Sequence, residues 1–199
     1  MGTGRDNEWS PGTISTYVNG LRRVFGVDRV PDATTAGGYR VVGIGTDINR
    51  FYELVSLAKT EPSEASQHLS HALSLVRGVP FSGVPYQGYG WADRHDLGDV
   101  TTKLNNAVHR TAAELAGLAI DAGNSQLAAW AAEKGLLLWE LEEDVNKLAL
   151  SAAAISPDRS ALARAWAALQ RRFARVNEPV PDRLSEHYQE LKRQGEQQD

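Results

Sequence analysis

From Asp47 to Leu191 the chain repeats apolar residues at intervals of three and four, a spacing that confines it to amphipathic helices packed on one another. Asp47 opens a segment carrying Ile48, Phe51, Leu54, Val55 and Ala58, and Ser63 opens another with Leu69, Ala72, Leu73 and Val76. A helix predicted over about 92–122 sets Leu97, Leu104, Val108, Leu115 and Leu118 along one side, and Gly123 with Asn124 stops it. Further helices are expected over 125–138 and 141–155. Another starts at Pro157 and carries Leu162, Trp166, Leu169 and Phe173 as far as Pro179 and Pro181, and a last one holds Leu184, Tyr188 and Leu191.

Between residues 112 and 175 the helices are rich in alanine, and the crossing points set Ala119, Ala128, Ala132, Ala152 and Ala165 beside large partners such as Trp130 and Trp166. Small-against-large packing of consecutive helices predicts a helical-hairpin array. The spacing from Ala113–Gly123 to Ala149–Pro157 lies near the ~34 residues of a tetratricopeptide unit, so the array is expected to be tetratricopeptide-like.

The N-terminal part follows a different pattern. Ser10 and Pro11 suit the start of a helix with Ile14, Tyr17, Val18, Leu21, Val24 and Phe25 on its apolar side, ended by Gly26, which leaves Asn19, Arg22 and Arg23 facing solvent or a partner. Thr34 and Thr35, a turn at Ala36, Gly37 and Gly38, and then Tyr39 to Val42 predict a small β-hairpin. The expected fold class is therefore mainly α: a tetratricopeptide-like helical-hairpin array over 46–194, preceded over 9–45 by a helix plus small β-hairpin.

Composition narrows the function. Cysteine is absent, which excludes thiolate nucleophiles, disulfides and cysteine-held metal centres. No apolar run approaches the roughly 20 residues of a bilayer span, and Met1 to Ser10 is polar, so the expectation is a cytoplasmic chain with no membrane partner. A formal net charge of -4 confines any DNA contact to a local patch.

Several motifs in sequence order resemble the bacterial transcriptional activator domain of SARP-type antibiotic regulatory proteins. Ala72-Leu-Ser-Leu-Val-Arg-Gly-Val-Pro-Phe81 is similar to that family's "ALxLWRGxPL" stretch, and Tyr89-Gly-Trp-Ala92 stands where the family places its tryptophan. Asp47, Phe51 and Leu54 match "DxxxFxxL", and Ala113-Glu-Leu-Ala116 leads to Ala122-Gly123 as in the family. Upstream, Leu21-Arg-Arg-Val-Phe-Gly26 followed by Thr34 to Val42 resembles the recognition helix and wing that close a response-regulator-type winged helix. The chain departs from the family at Val76, where a tryptophan is usual, and at Leu141-Glu-Glu-Asp144, where a proline and an acidic turn are customary. The first strands and first two helices of the winged helix have no counterpart before Glu8, which implies a partial unit.

The resemblance implies transcription regulation through protein partners or self-association, with DNA contacted in the context of the complete parent protein. The candidate DNA-binding residues are Asn19, Arg22, Arg23 and Arg40, groups that a helix in the major groove and an adjacent wing would aim at phosphates and base edges. The alternative for the arginines is a solvated helix face. Tyr86 and Tyr89, in a glycine- and proline-rich loop, are candidates for partner binding, or for a plug over the helices. Asp93, His95, Asp96 and Asp99 match no known coordination spacing, and His68 and His71 offer two ligands only, so no metal and no cofactor is expected. Gly43-Ile-Gly45 is read as a linker. No catalytic constellation is discernible, and a binding protein rather than an enzyme is expected, with a peptide-binding tetratricopeptide-like scaffold that has no DNA role as the rival.

Overall fold

Gly26, at φ +86°, ends the first helix in a left-handed conformation that glycine adopts without a Cβ clash, and its N–H returns to the Arg22 carbonyl at 2.9 Å. That helix, α1, spans Pro11–Phe25. The structure is a computed structural model that describes residues 11–33, 38–82 and 100–197. The chain divides into two units, Met1–Thr46 and Asp47–Asp199.

In the first unit the apolar stripe expected to face inward stays largely in solvent. Val18 and Val30 are buried, but Tyr17 is 59% exposed and Val24 75%, with Leu21 and Phe25 exposed as well. The described residues of this unit hold too few apolar side chains to cover a helix on one face. The expected hairpin is not supported: among the described residues no strand forms. Val42 and Gly43 bond instead to the chain leaving the helix, the Val42 N–H donating to the Arg29 carbonyl at 2.8 Å and the Arg29 side chain donating to the Gly43 carbonyl. Thr34, Thr35, Ala36 and Gly37 lie outside the described residues.

Among its described residues the regular elements of the second unit are all helices. Its elements are α2 (Asp47–Thr60), a single 3-10 turn at Pro62–Glu64, α3 (Ala65–Ser74), α4 (Val100–Asp121), α5 (Ser125–Leu136), α6 (Glu143–Ala154), α7 (Ala161–Arg175) and α8 (Asp182–Gln197). The whole chain is thus mainly α. The α4 described begins at Val100, and residues 92–99 of the expected helix lie outside the described residues.

Local chemistry explains the boundaries. Gly123 at φ +69° closes α4, and the Asn124 side chain then caps α5 by accepting from the Leu127 N–H at 3.0 Å. Glu142 does the same for α6, accepting from the Asp144 N–H at 2.7 Å. The α7 helix starts at Ala161 rather than at Pro157 because Asp158 turns its carboxylate onto the Ser160 N–H and hydroxyl, at 2.9 and 2.7 Å, and onto Arg164.

Packing follows the expected faces. Phe51, Leu54, Leu69, Leu73, Val108, Ala112, Leu115, Ala132 and Val145 form one buried cluster, and Leu150, Leu169, Phe173 and Leu184 form a second. The α4 helix packs on both α5 and α6, and α6 packs on both α7 and α8. Gly135 sits where α5 meets α6 and α4, so close that a Cβ there would lie 3.0 Å from Val145 and 3.3 Å from Ala112. Trp166 stacks on Tyr188 with centroids 4.5 Å apart, joining α7 to α8.

Candidate functional site

The DNA-binding candidates divide once they are placed. Asn19 and Arg23 are exposed, one turn apart on α1 and therefore on one side of it, and Arg40 is exposed on the segment after the helix exit. Arg22 is half-buried and committed to its own backbone: Nε donates to the Val30 carbonyl at 2.9 Å, and the terminal nitrogen donates to the Pro31 carbonyl at 3.2 Å. It braces the chain leaving the helix. Gly43, read as linker, takes φ +64°, and a Cβ there would meet the Arg29 guanidinium at 2.9 Å, so glycine permits that clasp.

Tyr86 and Tyr89 lie outside the described residues, as do Asp93, His95, Asp96 and Asp99. Of the two histidines on α3, His71 is exposed, whereas His68 turns back to the acids at the helix start. Its Nε2 lies 2.8 Å from Glu61 Oε2 and 3.8 Å from Glu64 Oε2. These are oxygen and nitrogen donors of the kind that hold divalent ions, and their ligand atoms fall within 4.8 Å of one another, yet the imidazole is already bonded to Glu61. Glu64 and Glu61 precede His68 by four and seven residues, a same-face spacing that survives across the 3-10 turn at Pro62–Glu64.

Two polar groupings have no forerunner in the sequence reading. Ser151 Oγ lies 2.9 Å from His187 Nε2, bridging α6 to α8. Burial holds the His187 imidazole below its ordinary pKa, opposed by its bond to the Lys147 backbone and by the charge of Glu190, while the Lys147 charge lowers it further. With a backbone group rather than a carboxylate beside the ring, the pair ties helices together and has no triad's orienting acid. No local pattern could have found it, since 36 residues separate the partners.

The second grouping is on α6 and α7. Asn146 is fully buried; its amide donates to the carbonyls of Glu140 and Glu142 at 3.0 and 2.7 Å, and its oxygen accepts from Arg172 at 2.6 Å. Arg175 pairs with Glu140 beside it. The sequence signal was an asparagine on the apolar side of α6, next to Val145 and near Ala149.

No family model, curated protein or solved structure matches the chain. Among the described residues no helix is long and apolar enough to cross a membrane.

Proposed function

We propose that the chain is a cytoplasmic transcription-regulatory module that works by binding and not by catalysis. Residues 47–199 receive a protein partner or a second copy, and the N-terminal unit contributes DNA contacts through Asn19, Arg23 and Arg40. One observation carries this reading: α1 exposes Asn19 and Arg23 on one side and Tyr17, Leu21, Val24 and Phe25 on another, so a polar and basic side and an apolar side are both left open to partners. The order of the motifs similar to the bacterial transcriptional activator domain supports it. Tetratricopeptide-like organisation is supported by neighbour relations, in which α4 and α6 each pack on the next two helices of the chain, as stacked helical hairpins do.

The rival, a peptide-binding scaffold without DNA, is favoured by Arg22, two of whose donors hold the Val30 and Pro31 carbonyls. Titrating a labelled DNA duplex with the full chain, at low and then moderate salt, separates the two. DNA binding predicts affinity that falls steeply with salt, and Arg23→Ala or Arg40→Ala should each lower the slope of log affinity on log salt by about one. Arg22→Ala should instead loosen the unit. Weak binding indifferent to Arg23 and Arg40 would leave the scaffold.

A further inference from the structure

The helices α5, α6 and α7 enclose a groove of about 370 Å³. Its walls are apolar, with Leu136, Leu150 and Leu169 as the large residues, and it exists because Ala149, Ala153 and Ala168 are too small to fill the space between them. At about 30 Å³ for a water-sized group, the space takes about a dozen non-hydrogen atoms. A pocket of this size and lining is at the small end of sites for organic ligands.

Its polar corner is organised. Asn146 uses both amide protons on the Glu140 and Glu142 carbonyls and its oxygen on Arg172, so it has no remaining freedom and holds the guanidinium in place. The Arg172 Nε–H is buried with no acceptor. Arginine keeps its charge in proteins, here partly offset by Glu140, and its buried Nε–H without a partner is unfavourable until an acceptor arrives. Glu140, which lines the groove, is already paired with Arg175.

We propose that this groove binds a small monocarboxylic acid with an aliphatic tail of about six to ten carbons, the carboxylate meeting Arg172 and the tail lying along Leu136, Leu150 and Leu169. A planar monoanion suits one guanidinium whose other face is occupied. A phosphate-like dianion does not, because Glu133 and Glu140 border the same groove and repel a second negative charge. The inference uses no part of the DNA reading and stands or falls separately from it.

Isothermal titration of the full chain with sodium octanoate tests it, with octanol, octylamine and inorganic phosphate as controls. One saturable site is expected for octanoate, with octanol, octylamine and phosphate each weaker by about tenfold or more. Arg172→Gln should weaken octanoate by at least about tenfold and leave octanol unchanged. Should that variant fail to fold, Ala168→Leu fills the groove at a half-buried position, and it should abolish octanoate binding while far-ultraviolet circular dichroism stays native. No saturable octanoate binding at millimolar concentration, equal affinity for acid and alcohol, or full affinity in a folded Arg172→Gln or Ala168→Leu protein would overturn the proposal.

Discussion

His187 couples the fold to pH through a single ring. An unfolded histidine titrates near 6.5, and burial against α6 keeps the folded ring below that value. As pH falls through about 6.5 the unfolded chain takes up a proton that the folded chain declines, so the stability this site contributes is complete above that pH and is lost progressively towards the folded pKa. Thermal midpoints measured from about pH 7.5 to about pH 5.5 should therefore fall more in the wild type than in His187→Gln, which keeps a hydrogen-bonding group for Ser151 but does not titrate. Equal slopes would show that the ring is not held neutral by its surroundings. Side-chain partnerships of this range were not legible beforehand. Neither was the use of Arg22 on its own carbonyls, because a sequence places an arginine on a helix face but does not say where the chain beyond the helix turns.

At the level of the element, helices were legible and their ends partly so. Gly123 and Asn124 were sufficient to place the stop of α4 and the start of α5, since a left-handed glycine and a capping amide act within one turn. The late start of α7 was not legible, because it depends on Asp158 capturing the Ser160 N–H, and neither was the 3-10 turn before α3, which has no side-chain cap. The hairpin over Thr34 to Val42 was inferred from β-branched and aromatic residues whose preference is contextual, and Val42 bonds to Arg29 instead. Packing sets helical glycines apart in the same way. Gly117, with open space around its Cβ direction, should gain about 0.5–1 kcal/mol on replacement by alanine. In Gly135→Ala the new methyl would crowd Val145 and Ala112, and overpacking of about 1–3 kcal/mol should outweigh the propensity gain and give a net loss. Chemical denaturation of both variants checks the opposite signs.

For the whole molecule, the division at Thr46 and Asp47 leads to a stability prediction. The second unit owns nearly all the buried apolar residues, while the first contributes Val18 and Val30. A fragment of residues 47–199 should then melt cooperatively at the midpoint of the full chain, whereas residues 1–46 alone should show no cooperative transition, as circular dichroism would record. A fragment that fails to fold would show that the helices draw on the N-terminal unit for their core. Periodicity, alanine content and turn residues by themselves determined that this chain is mainly α and where most helices of the second unit run, because those signals act between neighbours three or four residues apart. Only the tertiary structure decided that α1 keeps its apolar side in solvent, that Arg22 bonds the Val30 and Pro31 carbonyls, and that Asn146 and Arg172 frame a groove. Each of these depends on which distant groups compete for the same surface or the same hydrogen bond, and that competition is settled in three dimensions.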